Sequence, residues 1–310
     1  MENWDLIIIG AGAAGLAAGI YGSRSGLKTL IIEEKMAGGT TSDAPTVENY
    51  PGFPHVSGFE LAEKMVLHCK QTGVTLHELE TVTTLNLKGE KKIVKTNRSE
   101  YEAAAVLVAS GAHYREMDVA GEKEFRGRGV SYCGVCDGPF FKGKRVIVVG
   151  GGNSACITTL YLSGLAVEVT VVHRREAFRA EDAIVKDLTS KGNVKVFWNT
   201  EIKEIKGEKT VKIAVLHNTK TQETQELPVD GVFVQIGESP NSQLAKASGI
   251  EVDAEDRIKI DIHQRTNISG VYAAGDVTNH PVKQIGVAVG QGITAALEAY
   301  AYIKRPYYRK

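Results

Sequence analysis

The sequence predicts an α/β protein built on two copies of one strand–turn–helix–strand unit, and three observations carry that prediction. A glycine-rich segment occurs twice, in matching order and spacing, and each copy is flanked by β-branched runs of strand length. The 33 glycines set against only 8 prolines are the composition of tight turns where backbone meets a ligand, not of a disordered linker. A length of 310 residues suits about two domains, each able to bury a core.

The first copy, Leu6–Glu34, reads LIIIGAGAAGLAAGIYGSRSGLKTLIIEE. The second, Val146–Arg174, reads VIVVGGGNSACITTLYLSGLAVEVTVVHR. They align without a gap, so that Gly10 falls on Gly150, Gly12 on Gly152 and Tyr21 on Tyr161. Gly15 falls on Ala155 and Gly26 on Ala166, one small residue for another. Each copy opens as a strand, continues as a small-residue helix and returns as a second strand, Thr29–Ile32 or Val169–Val172. In such a unit the first glycine permits the sharp turn, and the second lets the backbone approach a pyrophosphate. The third small residue lets the helix pack close, while the helix N-terminus favours the anion. Ala13 and Ala14 in the first copy, and Asn153 and Ser154 in the second, stand at those N-termini. The two units are therefore read as Rossmann-like dinucleotide sites.

The ends of the second strands differ. Glu33 and Glu34 close the first copy, where a carboxylate accepts hydrogen bonds from a ribose 2′-OH. His173, Arg174 and Arg175 close the second, within HRREAFRA (173–180), where arginines suit a 2′-phosphate. The first site is thus expected to hold an unphosphorylated adenosine such as that of FAD, and the second NADP(H).

Between the copies lies Cys133-Gly134-Val135-Cys136-Asp137. This spacing lets two sulfurs close a small disulfide ring, and local dipoles tune thiolate character there. Half of a zinc site is the competing reading, but no second ligand pair completes it, and no metal is expected. Cys69 and Cys156 read as buried apolar fillers. Asp137 is read either as a proton shuttle for dithiol–disulfide exchange or as a turn residue of Asp-Gly-Pro. Further on, GVYAAGD (270–276) followed by the small-residue helix Gly286–Ala299 is either a ligand-facing strand–turn–helix or a plain junction.

Composition excludes several classes. Lys plus Arg (37) balances Asp plus Glu (37), so no overall field draws the chain to nucleic acid or anionic lipid. Two uncharged stretches, Leu6–Ser23 and Val146–Val167, reach the ~18 residues of a membrane span. Glycines interrupt the first, and polar residues such as Asn153 and Thr158 interrupt the second. Acidic Glu2 and Asp5 precede the first stretch, where a secretory signal carries positive charge. A cytoplasmic protein without nucleic-acid or membrane partners is expected, with Tyr307–Lys310 as a solvated tail.

Six motifs together resemble one family. GAGAAG (10–15), VENYPG (47–52), CGVCDG (133–138), GGGNSA (150–155), HRREAFRA and GVYAAGD are similar, in order and spacing, to those of the low-molecular-weight NADPH-dependent thioredoxin reductases. The resemblance spans the whole chain. It implies a discontinuous FAD domain (1–113 and 240–310) into which an NADPH domain (114–239) is inserted, with Ala109–His113 and Gly237–Asn241 as the crossing segments. It implies FAD and NADPH as cofactors, a homodimer, and reduction of a thioredoxin- or glutaredoxin-like dithiol protein. Cys136 would face the flavin, Cys133 would attack the partner disulfide, and Asp137 would act as acid and base. Gly38, Gly39, Thr40, Asn49, Gly111, Gly275, Asp276, Lys283, Gln284 and Ile285 would line the FAD, and Arg179 would join the NADPH site. The chain departs from the family at Thr40-Thr41, where glutamine is usual, at Lys283 in place of arginine, and at Ser110 in place of threonine.

Related reductases fed by deazaflavin or ferredoxin, flavin-linked dithiol oxidases, and a non-catalytic flavin–thiol sensor are the alternatives. Arg174 and Arg175 favour NADPH over the other donors. Because the disulfide and the nicotinamide would share one flavin, the inserted domain is expected to rotate on its crossing segments.

Overall fold

The computed structural model describes residues 2–44 and 46–304; the tail at 307–310 lies outside them. The chain divides into two units, Met1–His113 with Ser239–Lys310, and Tyr114–Glu238.

In the first unit β1 (Glu2–Ile9), α1 (Ala13–Arg24) and β2 (Thr29–Ile32) form the expected repeat copy. Then come α2 (Gly58–Gln71), β3 (Thr75–His77), the antiparallel pair β4 (Val82–Asn86) and β5 (Lys92–Thr96), and β6 (Glu100–Val108). The chain leaves through β7 (Ala112–Tyr114).

The second unit holds β8 (Val130–Ser131), the one-turn helix α3 (Gly134–Asp137), β9 (Arg145–Val149), α4 (Asn153–Ser163) and β10 (Glu168–His173). It continues with α5 (Asp182–Thr189), β11 (Val194–Trp198), β12 (Thr200–Gly207), β13 (Val211–Asn218), β14 (Thr224–Pro228) and β15 (Gly231–Val234). The return strand β16 (Glu238–Pro240) pairs with β7, and α6 (Gln243–Ala247), β17 (Val271–Ala273) and α7 (Ile285–Lys304) complete the first unit.

The first sheet runs β3-β2-β1-β6-β5-β4, with β17 parallel to the C-terminal half of β6. Its central strands are covered on both faces, which is why they read as unbroken apolar runs. Alternate residues of β1 serve the two faces. Leu6 and Ile8 pack with Leu16 and Ala296 on the side of α1 and α7. Ile7 and Ile9 pack with Val106, Ile250 and Ile258 on the other. The second sheet, β11-β10-β9-β15-β8, is parallel throughout. Val146 and Val148 face Ala155 and Leu162 of α4, while Ile147 and Val149 share a core with Ile205, Val211 and Leu216 of the antiparallel sheet β12–β14. Among the described residues no helix is long and apolar enough to cross a membrane; glycines and core packing account for the two uncharged stretches.

The end of β2, where Glu33 emerges, is fixed by a buried carboxylate. Glu80 is 2% exposed. Its Oε1 accepts from the hydroxyls of Thr96 (2.6 Å) and Tyr101 (2.8 Å), and its Oε2 lies 3.0 Å from His77 Nδ1. The Glu80 N–H donates to the Glu33 carbonyl at 2.9 Å, and the Glu33 N–H to the His77 carbonyl at 2.8 Å. Burial by itself would raise the pKa of Glu80, but the bonds from Thr96 and Tyr101, with His77 beside them, outweigh it. They hold the carboxyl below its ordinary pKa of 4.5.

A group depressed in this way contributes stability that is complete above the ordinary carboxyl pKa and lost as the pH falls towards the depressed one. Glu80→Gln is therefore expected to cost about 1–3 kcal/mol at pH 7 and to flatten the acid limb of the stability profile. Urea unfolding measured between pH 7 and pH 3 checks both.

Candidate active site

The first glycine turn lies at the carboxyl ends of the mutually parallel strands β1, β6 and β17, the edge of an open α/β sheet where ligands bind. Gly10 has φ +104°, and a Cβ there would stand 2.4 Å from the Ala109 carbonyl oxygen, so no side chain fits. A Cβ on Gly15 would meet the Gly10 carbonyl oxygen at 1.9 Å; α1 begins directly under the turn. Gly12 caps α1 with no side-chain bond to the first-turn amides, whereas α2 is capped by the Ser57 side chain, which accepts from the Glu60 N–H. The bare amides behind Ala13, Ala14 and Gly15 fit an anion. Gly38 donates to the Ala11 carbonyl at 2.9 Å, which lays the Gly38–Gly39–Thr40 segment against this turn. Glu33 folds back onto it: Oε2 accepts from the Ala11 N–H at 2.7 Å and Oε1 from the Lys35 N–H at 2.9 Å. Glu34 is exposed.

The structure brings the other expected residues of this unit to the same edge. Gly275 follows β17, and its N–H donates to Oε1 of Gln291 at 2.8 Å. Asn49 Nδ2 donates to Gln284 Oε1 at 3.1 Å, joining VENYPG to the turn before α7, where Ile285 begins the helix. Lys283 donates from Nζ to the carbonyls of Asp276 (3.0 Å) and Thr278 (2.6 Å), so the lysine present in place of arginine clasps the Gly-Asp loop. Gly111 is tied to the return chain, its carbonyl accepting from the Asn241 N–H at 3.0 Å. Gln291 is a residue that sequence reading missed. Its Nε2 is buried and has no partner among the described residues. Uncapped amides, the glycine cradle and this orphaned donor fit a large polar dinucleotide such as FAD.

The second turn repeats the first in its own unit. Gly150 has φ +147°, and a Cβ there would lie 2.3 Å from the Gln235 carbonyl oxygen. Gly152 caps α4 without a side-chain bond and has open space around it. Asn153 exchanges two bonds with Glu181, accepting from its N–H at 2.9 Å and donating to its Oε1 at 3.0 Å. Ser154 is exposed beside it. Arg179 N–H donates to the Gly151 carbonyl at 2.7 Å, which folds the basic segment over the turn with Arg174, Arg175 and Arg179 all exposed. His173 lies against the same turn, where a Cβ on Gly151 would meet its Cε1 at 2.2 Å. Its ring is buried, its Nε2 donates to the Ala177 carbonyl at 3.1 Å, and it stacks on Phe178 beside Trp198. Burial, and then the neighbouring arginines, hold its pKa below the usual value of 6.5. A neutral His173 therefore shapes the loop that carries the arginines.

Cys133 and Cys136 are joined by a disulfide. Cys133 caps α3, with the Cys136 N–H donating to its Sγ at 3.2 Å. A Cβ on Gly134 would come 2.5 Å from Thr158 Cγ2, and one on Gly138 2.7 Å from Tyr161 Cε1. Both glycines of CGVCDG thus seat the redox turn on α4. Gln235, also unanticipated, ties this turn to the second glycine turn: its Nε2 donates to the Tyr132 carbonyl at 2.8 Å, and its carbonyl abuts Gly150. Burial holds the Asp137 carboxyl above its ordinary pKa, against a hydrogen bond from Ser131. Cys69 and Cys156 are buried and free.

A redox disulfide and two dinucleotide-type turns define a disulfide oxidoreductase built for nucleotide cofactors. The chain belongs to the pyridine nucleotide-disulphide oxidoreductase family, whose model matches residues 4–292. It is 42% identical to the thioredoxin reductase of Treponema pallidum over 97% of both chains. It is also 42% identical to that of Bacillus subtilis over 97% of this chain and 95% of the relative. The crystal structure of thioredoxin reductase from Streptococcus pyogenes matches with a TM-score of 0.94 at 39% identity, covering 98% of this chain and 99% of that one.

Gly134→Ala is expected to force α3 off α4 and to destabilise the second unit by about 1–3 kcal/mol. Thr158→Ala in the same chain removes the obstructing methyl and hydroxyl and should recover much of that loss. Urea unfolding of the oxidised protein, followed by Trp198 fluorescence, measures both.

Proposed function

We propose that this oxidoreductase is an NADPH-dependent thioredoxin-disulfide reductase. The observation that carries the reading is the Cys133–Cys136 disulfide built onto the same glycine turn that the arginine-rich 173–180 segment covers. The reading takes Met1–His113 with Ser239–Lys310 as the FAD unit and Tyr114–Glu238 as the NADPH unit, one residue from the expected second boundary. It takes the chain to be a cytoplasmic homodimer whose partner is a thioredoxin- or glutaredoxin-like dithiol protein.

Bound FAD supplies the step from a two-electron hydride donor to a disulfide. Residues of the first unit hold it. The α1 amides behind Gly12 meet the pyrophosphate, Glu33 presents its remaining lone pairs to a ribose, and Asn49, Gln284 and Lys283 shape the ring end of the site. In the second unit the α4 amides behind Gly152 take the NADPH pyrophosphate, and Arg174, Arg175 and Arg179 take the 2′-phosphate.

Once the Cys133–Cys136 bond is reduced, the Cys133 thiolate attacks one sulfur of the partner disulfide, and the other partner sulfur leaves as a thiolate that takes up a proton. Cys136 then attacks Cys133 in the mixed disulfide, restoring the internal bond and releasing the partner as a dithiol. The Cys136 N–H aimed at Cys133 Sγ stabilises the attacking thiolate. Asp137, kept protonated to higher pH by burial, supplies the proton.

Steady-state oxidation of NADPH by the purified flavoprotein with oxidised thioredoxin tests the proposal. Sustained, thioredoxin-dependent turnover is expected; a sensor would consume NADPH once, stoichiometrically, and stop. Replacing Arg174 and Arg175 together by Ala removes two charge-assisted bonds worth roughly 1.5–3 kcal/mol each. The Michaelis constant for NADPH should rise by about tenfold or more, with that for NADH little changed. Equal loss with both donors contradicts the assignment.

A further inference from the structure

The loop that leaves β2 is gripped along its length by residues 77–80. β2 and β3 pair as far as Ile32 and His77, where the sheet ladder stops, yet the grip continues. Glu33 exchanges backbone bonds with His77 and Glu80. Two residues on, the Lys35 carbonyl accepts from the Leu79 N–H at 3.2 Å. Two further on, the Ala37 N–H donates to Glu78 Oε1 at 2.8 Å. The contacts at 33 and 35 are backbone to backbone, so any sequence could make them. The contact at 37 needs a side chain of the right length with an acceptor at its end.

Glu78 is braced for that contact. Its Oε2 lies 3.3 Å from Nζ of Lys70, in the last turn of α2. The next residue, Leu79, has φ +56°, a left-handed backbone that leucine takes only where its surroundings impose it. Its side chain is 57% exposed, so packing of that side chain does not account for the conformation. The left-handed turn falls between the two glutamates that reach the loop, Glu78 with its carboxylate and Glu80 with its N–H.

What the Ala37 bond secures lies next in the chain. The Gly38 N–H donates to the Ala11 carbonyl at 2.9 Å, and a Cβ on Gly39 would meet Gly12 Cα at 2.9 Å. Gly12 caps α1, whose first-turn amides have no side-chain partner. Ala37 is thus the last point at which residues 77–80 hold the loop before it runs against the anion-binding turn. We propose that Glu78 is a positioning residue for FAD: its carboxylate holds the Ala37 N–H and so keeps the Gly38–Gly39 backbone against the first glycine turn in the conformation that the dinucleotide binds. The proposal rests on the reading of that turn as the FAD site. Glu78 acts through Ala37 and touches no part of the ligand.

The test uses the purified, full-length flavoprotein. FAD released on serial dilution is followed by the fluorescence of free flavin, which gives its dissociation constant. In Glu78→Ala the bond from the amide to a charged acceptor is lost, and FAD should bind about tenfold more weakly. The visible spectrum of the flavin that stays bound should be unchanged, because the ring end of the site is untouched. Glu78→Gln keeps an acceptor for Ala37 and should recover most of the affinity. Lys70→Ala removes only an exposed ion pair and should weaken FAD by less than about threefold. Amide hydrogen exchange of the unmodified protein needs no variant to fold, and it should show Ala37 protected. An Ala37 amide that exchanges as fast as an unstructured one overturns the proposal. So does a Glu78→Ala protein that holds FAD as tightly as the unmodified chain, or a Glu78→Gln protein as weak as Glu78→Ala. An unmodified chain that binds no FAD defeats the reading of the first turn, and the proposal falls with it.

Discussion

Everything in this molecule that handles a ligand depends on one constraint, the close approach of backbone to backbone at a glycine turn under a helix with no side-chain cap. At Gly10 the neighbour is the Ala109 carbonyl, and at Gly150 it is the Gln235 carbonyl. A Cβ at either position would push the strand ends apart. Both helices that follow leave their first-turn amides without a side-chain partner, where a helix ordinarily recruits Ser, Thr, Asp or Asn. Such amides favour an anion supplied from outside the chain. The same device, used twice, gives each unit a dinucleotide-type site.

The second turn carries an added function because Gln235 works in two directions. Its backbone closes on Gly150, and its side chain holds the carbonyl of Tyr132, one residue before Cys133. The redox disulfide is thereby anchored to the glycine-turn edge of its own sheet. Gly134 and Gly138 then let α3 lie flat on α4, and burial of that contact shields Asp137. Packing, acidity and thiol chemistry at residues 131–138 thus follow from one seating of a four-residue helix.

The glycine turns, their strands and the cysteine pair were legible in the sequence because each is a local pattern. Turn, helix and strand follow one another within about thirty residues, and the chemistry is carried by residue types at fixed spacing. The strands Thr29–Ile32 and Glu168–His173 lie where the repeat placed them. What escaped is non-local. Glu80 reaches Thr96 and Tyr101 across a hairpin, Gln291 reaches Gly275 from the second turn of α7, and Gln235 reaches Tyr132 across the sheet. No spacing rule signals such pairs in a single sequence. His173 combines the two. Its motif places it at the second site, and its packing beside Phe178 and Trp198 is what the spacing alone does not signal.

The central claim is that NADPH electrons reach the Cys133–Cys136 pair. Anaerobic addition of NADPH to the purified flavoprotein, with thiols counted by alkylation and mass spectrometry, tests it most directly. The account predicts two new thiols per chain, on Cys133 and Cys136, with Cys69 and Cys156 unchanged in state. A flavin reduced by NADPH while Cys133 and Cys136 stay joined would contradict it. So would a pair opened by reduced ferredoxin or deazaflavin but not by NADPH.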